Sequence, residues 1–270
     1  MKYILESREE FDRLERQCDA VEYDYRAELE GFDIPTGAQV LDAGCGSGIV
    51  SRYLAVSNPG AYVTGCDRAV ERLEMASSTA SHIQNLKFKE ADLCKMNFEE
   101  ATFDRMVSRY VLQHLPRTEV AVAVGEMYRC LKPGGRIRLI DFDGPLYNLF
   151  PVSEILSDFL RKFEDCPAFD LQVGRKLPVL LLNAGFSGIT TEIVTLHFRG
   201  AALQAEIGMM EERFKNGRPF FTAFLGSVEA AEQFIDLYLK ALRAPEAVLF
   251  YNKFVVSAAR PKLSIKLVGA

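Results

Sequence analysis

The segment VLDAGCGSG occupies residues 40–48 and places three glycines on alternate positions directly after a short hydrophobic run. Glycine loses more backbone entropy on folding than any other residue, so Gly44, Gly46 and Gly48 indicate a backbone that turns sharply or approaches another group closely. The IVSRYLA that follows has helical spacing. The stretch therefore predicts a strand, a glycine turn and a helix, and such turns bind nucleotide-like ligands at the carboxyl edge of α/β sheets.

Short β-like runs alternate with longer helical ones after residue 38. The runs AQVLD, AYVTGCD, LKFKE, FDRMVS and GRIRLIDFD are separated by segments long enough for crossover helices. Such crossovers are nearly always right-handed and produce a parallel sheet with helices on both faces. The predicted fold class is α/β, with a Rossmann-like doubly wound sheet.

Helical segments flank and interrupt this alternating pattern. SREE at residues 7–10 fits a capping box, and we predict one helix through the first 30 residues that ends at Gly31. A helix from about Val173 to Asn183 ends at Gly185, and ITTEIVTLHF and NKFVVSAARP are predicted as the last two strands. Two further helices are predicted from apolar stripes, formed by Val152, Ile155, Leu156, Phe159, Leu160 and Phe163 and by Val228, Phe234, Ile235, Tyr238, Leu239 and Leu242.

Composition favours a protein that acts on a small molecule. The 270 residues carry a net charge of −5 without a basic cluster, which argues against a nucleic-acid partner. No apolar run approaches the roughly 20 residues of a membrane span, and the N-terminus lacks the apolar region of a signal peptide. We therefore expect a cytoplasmic protein without a membrane span, while the sequence gives no indication of oligomeric state.

The cysteines do not form a metal-binding or disulfide pattern. They include no CxxC pair, and no paired histidines lie nearby, so we expect reduced thiols and no metal site. The six cysteines are Cys18, Cys45, Cys66, Cys94, Cys130 and Cys166.

Three carboxylates stand at the ends of the first three predicted strands. Asp42 precedes the glycine turn, where it would repel a pyrophosphate but accept hydrogen bonds from a cationic group. Asp67 ends the second strand and can accept hydrogen bonds from both hydroxyls of a ribose. Asp92 follows the third strand in EADL, where it can bind the amino group of adenine while Leu93 packs on the ring. An adenosine with a cationic amino-acid tail satisfies all three positions.

These motifs resemble those of class I S-adenosylmethionine-dependent methyltransferases. VLDAGCGSG, GCD, EADL, FDRMVSRYVLQHLP and LKPGGRIRLIDFD occur in the family's order between about residues 36 and 143. The resemblance implies a seven-stranded sheet whose last strand is antiparallel, and S-adenosylmethionine as the cofactor. It also implies that the glycine loop surrounds the methionine part of the cofactor, that Asp67 binds the ribose and that Asp92 binds the adenine. The sequences of the motifs are most similar to those of ubiquinone/menaquinone-type and natural-product methyltransferases.

The pattern of strands and helices divides the chain, and the resemblance adds a set of cofactor-binding residues. The predicted parts are an N-terminal helical lid (1–35), an S-adenosylmethionine-binding core (36–143), a cap insertion (144–172), a continuation of the core (173–198), a second helical cap (199–245) and a final strand with the C-terminus (246–270). The predicted cofactor-binding residues are Asp42, Gly44, Cys45, Gly46, Gly48, Asp67, Arg68, Ala91, Asp92, Leu93, Ser108, Arg109, Tyr3 and Arg13.

Each carboxylate also has a purely structural interpretation. Asp42 is compatible with capping the turn that follows it, because aspartate commonly accepts hydrogen bonds from backbone amides within turns. Asp67 alternatively N-caps the helix VERLEMASS, and Asp92 alternatively forms an Asx turn.

His114 is the predicted general base. It lies in SRYVLQHLP after the fourth strand, at the edge where the transferred methyl group is expected, and an imidazole takes up a proton near neutral pH. Alternatively, YVLQHL forms one helical turn in which the histidine packs or caps. Ser108, Arg109 and Tyr110 lie at the same edge and are expected to contact the methionine tail or the acceptor.

The predicted reaction is methyl transfer to an oxygen or carbon atom of a small-molecule acceptor, by an in-line displacement to which positioning contributes most. The chain has SRYV where amino-methylating enzymes carry NPPY- or DPPY-type tetrapeptides, which favours O- or C-methylation. Two alternatives are a protein that binds the cofactor without turnover and a nicotinamide-dependent oxidoreductase. The second is disfavoured because the spacing GxGxG differs from the GxGxxG of dinucleotide-binding loops.

Overall fold

The computed structural model describes residues 15–16 and 23–262. Tyr3, Arg13, Cys18 and the SREE segment therefore lie outside the described residues, and the predictions made for them stay predictions. The remaining five cysteines are free thiols. None of the described helices is long and apolar enough to cross a bilayer.

One sheet organises the described chain, and its core is parallel. Strands β1 to β5 run parallel in the order β3-β2-β1-β4-β5. β8 is antiparallel to β5, and Val256 of β8 pairs with Leu139 of β5 on one edge and with Thr191 of β7 on the other. The strands are β1 (Gln39–Ala43), β2 (Tyr62–Asp67), β3 (Leu86–Glu90), β4 (Phe103–Arg109), β5 (Leu131–Asp143), β6 (Leu149–Phe150), β7 (Ser187–Phe198) and β8 (Val248–Ala259).

This topology confirms the predicted α/β class and the antiparallel last strand. The two-residue strand β6 pairs with β8 and brings the total in the described chain to eight, one more than predicted. A strand of two residues has no alternating pattern, so periodicity could not reveal it.

Helices connect the strands and occupy the segments predicted as caps. Serine N-caps start two of the cap helices, because Ser153 accepts a hydrogen bond from Leu156 N and Ser227 from Ala230 N. The helices are α1 (Tyr25–Glu28), α2 (Ile49–Ser57), α3 (Val70–Thr79), α4 (Arg117–Cys130), α5 (Glu154–Glu164), α6 (Leu177–Asn183), α7 (Gly200–Leu225) and α8 (Val228–Leu242), with 3₁₀ turns at Leu112–His114 and Gly174–Lys176.

The prediction of one continuous helix through residue 30 is wrong. Asp24 has an extended backbone, and its carboxylate accepts a hydrogen bond from Arg26 N at 2.9 Å. An aspartate that satisfies a backbone donor in this way starts a helix instead of continuing one. α1 therefore begins at Tyr25 and ends at Glu28, before Gly31 reverses the chain with φ +69°.

Hydrophobic residues cover both faces of the parallel sheet. Neighbouring residues of β1 point to opposite faces, so Val40 belongs to the same hydrophobic cluster as Leu54 of α2, while Leu41 belongs to the cluster on the other face with Val124 of α4. Val40 and Leu41 are both fully buried, as expected for a strand in the middle of a doubly wound sheet.

The cap helices pack together through aromatic side chains. Phe163 of α5 contacts Phe221 and Phe234 of α7 and α8, with ring centroids 5.7 and 4.8 Å apart. Two residues assigned to the buried stripes, Ile155 and Val228, are instead 53% and 56% exposed. Both lie at the first or second position of their helix, beside an exposed glutamate.

Candidate functional site

Left-handed glycines shape the turn between β1 and α2. Gly44, Gly46 and Gly48 have φ of +81°, +54° and +78°, a region that other residues rarely adopt. A Cβ atom on Gly44 would lie 2.6 Å from the methyl groups of Val111, and one on Gly48 would lie 2.8 Å from the ring of Phe88. The turn thus requires glycine both for its conformation and for its close approach to neighbouring elements.

Asp67 joins this glycine loop to the end of β2. Its Oδ2 accepts a hydrogen bond from Gly46 N at 3.0 Å, and its Oδ1 accepts from Ala69 N at 2.9 Å and from Arg72 Nη2 at 3.3 Å. The N-cap of α3 is Ala69, so the alternative that Asp67 itself N-caps this helix is wrong. Each carboxylate oxygen can accept two hydrogen bonds, so Oδ2 keeps capacity for a ligand hydroxyl.

Asp42 faces the start of α2 from the interior. Its Oδ2 accepts a hydrogen bond from the Ser51 hydroxyl at 2.6 Å. Burial raises the pKa of Asp42 to about 6, although the hydrogen bonds from Ser51 act in the opposite direction. Asp42 therefore binds the first turn of α2 through Ser51, and its predicted contact with a cationic ligand stays a prediction.

The segment after β3 lies beside Asp67. Ala91 N donates a hydrogen bond to the Asp67 carbonyl at 3.0 Å, which brings the ends of β2 and β3 together. Asp92 is exposed, and its Oδ1 accepts from Cys94 N at 2.8 Å, which is the Asx turn considered as an alternative. Leu93 is buried, whereas Arg68 on the neighbouring loop is exposed. The structure thus places Ala91 and Asp92 next to Asp67.

A buried ionic cluster lies where β4 ends. Glu28 of α1 accepts hydrogen bonds from the Arg109 guanidinium, from Lys253 Nζ at 2.8 Å and from the Tyr110 hydroxyl at 2.6 Å. Burial acts to raise the pKa of Glu28, but the charges of Arg109 and Lys253 and their hydrogen bonds outweigh it and lower the pKa. The side chain of Glu28 therefore orients the predicted site residue Arg109.

Ser108, another predicted site residue, connects two strands. Its hydroxyl donates a hydrogen bond to the Ala43 carbonyl at 2.8 Å and so links β4 to β1.

Tyr110 has an unusual backbone conformation at this edge. Its φ is +57°, and its ring stacks on Phe142 with centroids 4.1 Å apart. The Arg109 guanidinium lies 4.1 Å from the centroid of the same ring. A non-glycine residue at positive φ is strained unless its surroundings hold it, and such residues are common at functional sites.

A second buried cluster connects the cap to the first. Glu206 of α7 is fully buried and accepts hydrogen bonds from the Tyr23 hydroxyl at 3.0 Å, the Tyr251 hydroxyl at 3.1 Å and Arg213 Nη1 at 3.0 Å. Burial raises the pKa of Tyr23 to about 12. The main-chain carbonyl of Tyr23 accepts from Arg109 Nη2 at 2.6 Å, so Tyr23 belongs to both clusters.

Sequence reasoning missed Glu28, Lys253 and the cluster around Glu206. The partners of Glu28 lie 81 and 225 residues away in the chain. No local motif encodes such pairs. The available signal was the presence of acidic residues within otherwise hydrophobic patterns, which indicates a buried partner without naming it.

His114 ends the 3₁₀ turn that follows β4. Its side chain is partly buried, and its Nε2 lies 3.4 Å from Gln113 Nε2. This 3₁₀ turn agrees with the alternative interpretation of YVLQHL as one helical turn. No cluster of three histidine, cysteine, aspartate or glutamate side chains suited to a metal ion occurs in the described portion of the chain.

Comparison with known proteins identifies the family. A family described as a methyltransferase domain matches residues 41–139. An uncharacterized methyltransferase of Synechocystis is 32% identical over 179 residues, which cover 65% of this chain and 77% of that relative. The chain belongs to the class I S-adenosylmethionine-dependent methyltransferases.

Other relatives of this methyltransferase match more narrowly. The 2-phytyl-1,4-naphtoquinone methyltransferase of Thermosynechococcus vestitus is 32% identical over 119 residues, 43% of this chain and 52% of that protein. The chain spans about half the length of most of the curated relatives it matches. Phosphoethanolamine N-methyltransferase 2 of Haemonchus contortus, solved in complex with S-adenosyl-L-methionine, shares the fold with a TM-score of 0.62 at 20% identity, over 95% of this chain and 58% of that one.

S-adenosylmethionine is the cofactor of this family, and the residues at the carboxyl edge of the sheet fit it. The loop at Gly44 and Gly46 presents main chain without side chains. Asp42 and Asp67 place two carboxylates beside this loop, which suits a ligand with a sulfonium and an ammonium group. Oδ2 of Asp67 keeps capacity for a further donor.

Proposed function

We propose that this methyltransferase transfers a methyl group from S-adenosylmethionine to an oxygen or carbon atom of a small-molecule acceptor, by in-line displacement. The observation that carries the proposal is the 3.0 Å hydrogen bond between Gly46 N and Asp67, because it fixes the glycine loop beside the carboxylate suited to a ribose. When bound, S-adenosylmethionine supplies an electrophilic methyl group on a positively charged sulfur.

The chain's own residues bind and orient the cofactor in this proposal. Main-chain groups of Gly44, Cys45, Gly46 and Gly48 surround the methionine part. Asp67 accepts hydrogen bonds from the ribose, and Asp42 contributes negative charge near the ammonium group. The remaining assigned contacts come from the adenine-side residues Arg68, Ala91, Asp92 and Leu93 and from Ser108 and Arg109.

The acceptor side of the proposed site is aromatic and partly polar. Tyr110 and Phe142 stack at the ends of β4 and β5, and His114 follows on the same edge. We assign His114 as the group that takes the proton from a phenol or other hydroxyl acceptor. The names of two relatives, a phytyl-naphthoquinone and a demethylmenaquinone methyltransferase, support a small aromatic acceptor, although each match covers less than half of this chain.

The test is product formation with an isotopically labelled cofactor. The protein is incubated with methyl-labelled S-adenosylmethionine and a metabolite extract, and labelled products are identified by mass spectrometry. We expect a labelled small molecule and equimolar S-adenosylhomocysteine. Cofactor binding without any labelled product would support the non-catalytic alternative.

Thermal stabilisation separates the proposal from an oxidoreductase. Ligands that bind only the folded state raise the unfolding temperature by mass action. We expect S-adenosylmethionine to raise the unfolding temperature and NAD to leave it unchanged, because the loop spacing is GxGxG. The opposite pattern would contradict the proposed function.

A further inference from the structure

A carboxylate with no role in the proposed function lies beneath the loop that follows β4. Asp141 is the third-last residue of β5 and is 2% exposed. A buried carboxylate is unfavourable unless hydrogen-bond donors surround it. Its donors here are backbone amides. Gln113 N donates to Oδ2 at 3.2 Å, and Phe142 N donates to Oδ1 at 3.0 Å.

The loop that Asp141 holds connects the glycine turn to the cap. At one end, the methyl groups of Val111 fill the space beside Gly44, where a Cβ would lie only 2.6 Å away. At the other end, the carbonyl of Gln113 accepts a hydrogen bond from Asp170 N at 2.9 Å. The loop therefore contacts the cofactor turn and the cap at the same time, and Asp141 is its anchor to the sheet.

We propose that Asp141 is a positioning residue for S-adenosylmethionine: its carboxylate fixes the turn at residues 111–113, and Val111 on that turn keeps Gly44 in its cofactor-binding conformation. The proposal rests on the proposed function, because it concerns the same cofactor site. Asp141 acts through the loop.

The electrostatics of Asp141 agree with this geometry. Burial raises the pKa of Asp141 to about 7, while hydrogen bonds from the backbone amides of Phe142, Gln113, Leu112 and Val111 act in the opposite direction. Three of these four amides belong to the loop. The amides of this turn thus help to stabilise the ionised carboxylate, and the Gln113 amide links Asp141 to the loop directly.

The experiment compares Asp141→Asn with Asp143→Asn. Asp143 is a matched control because it is equally buried on the same strand, yet it binds Arg175 and not the loop. Affinity for S-adenosylhomocysteine is measured by calorimetry, and amide hydrogen exchange is followed in the peptide containing residues 111–113. We expect Asp141→Asn to weaken S-adenosylhomocysteine binding at least tenfold and to speed exchange in this peptide, while Asp143→Asn changes affinity less than twofold.

Several outcomes overturn the proposal. The proposal is wrong if a folded Asp141→Asn variant binds S-adenosylhomocysteine within twofold of the wild-type affinity, or if it leaves exchange at residues 111–113 unchanged. It is also wrong if Asp143→Asn loses as much affinity as Asp141→Asn. If Asp141→Asn does not fold, Val111→Ala decides, with at least a threefold loss of affinity expected and an unchanged affinity contradicting the proposal. If the wild type itself does not bind S-adenosylhomocysteine, the proposed function fails and this inference fails with it.

Discussion

The hydroxyl of Tyr23 donates a hydrogen bond to the buried carboxylate of Glu206 at 3.0 Å, and this contact joins the segment preceding the sheet to the long cap helix α7. Because the carbonyl of the same tyrosine accepts from Arg109, the end of β4 and the cap share one polar network. Such a network is stabilising only while every member has its partner.

Glu206→Gln should destabilise the fold. The substitution leaves Arg213 without its buried counter-ion and disturbs the hydrogen bonds from two tyrosines, so we expect a loss of about 2 to 4 kcal/mol in the free energy of unfolding. Urea denaturation measures this loss. Glu212→Gln on the same helix is the control, because Glu212 forms an exposed pair with Arg16 and should contribute less than about 1 kcal/mol. Equal losses in the two variants would contradict the role of the buried network.

Asp67→Asn should weaken cofactor binding. An amide presents a donor where the ribose hydroxyls and Gly46 N need an acceptor, and lost hydrogen bonds to a charged group cost about 1.5 to 3 kcal/mol. Calorimetric titration with S-adenosylmethionine measures the change. Asp104→Asn serves as the comparison, because Asp104 binds Gln39 N and Lys132 at the amino-terminal end of the sheet, away from the glycine loop. An unchanged affinity in Asp67→Asn would overturn the ribose assignment.

Gly44→Ala should destabilise the protein more than Gly37→Ala. Both glycines have φ near +80°, so both substitutions carry the same conformational strain of about 1 to 2 kcal/mol. A Cβ at Gly37 meets nothing within 4 Å, whereas one at Gly44 meets Val111, which adds about 1 to 3 kcal/mol. Chemical denaturation of the two variants isolates the second contribution. Identical losses of unfolding free energy would mean that Val111 moves away from the added methyl group without destabilising the protein.

Asp42 should make the stability of the protein depend on pH. Its pKa is about 6 in the folded state and about 4 in an unfolded chain, so the folded state binds more protons between these values. The contribution of Asp42 is therefore fully present below about pH 4 and is lost as the pH rises through 6, by about 3 kcal/mol in all. As the pH rises over this range, we expect the unfolding free energy of the wild type to fall by this amount relative to that of Asp42→Asn. Parallel pH profiles would contradict the raised pKa.

The sequence predicted the parts of the site whose determinants are local. The glycine turn was predicted, and the Asx turn at Asp92 and the helical turn at His114 were recognised as alternatives. Each depends on a few consecutive residues, and each is present. The parallel core of the sheet followed from the alternation of strands and helices. These features could be read because neighbouring residues carry the information.

Contacts between distant segments could not be predicted in the same way. Glu28 reaches Arg109 and Lys253 only after the whole sheet has formed, and nothing near Glu28 in the chain names those partners. The helix expected through residue 30 failed for a related reason, since the periodic apolar residues concealed the N-cap at Asp24. Periodicity reports which face is buried but not what covers it.

The place of β8 in the sheet affects how the protein can be made. β8 comprises residues 248–259 and pairs with β5, β6 and β7. Until β8 has been synthesised, each of these three strands has an edge whose backbone hydrogen-bonding groups lack their partners. The sheet can therefore be completed only after residues 248–259 have been synthesised.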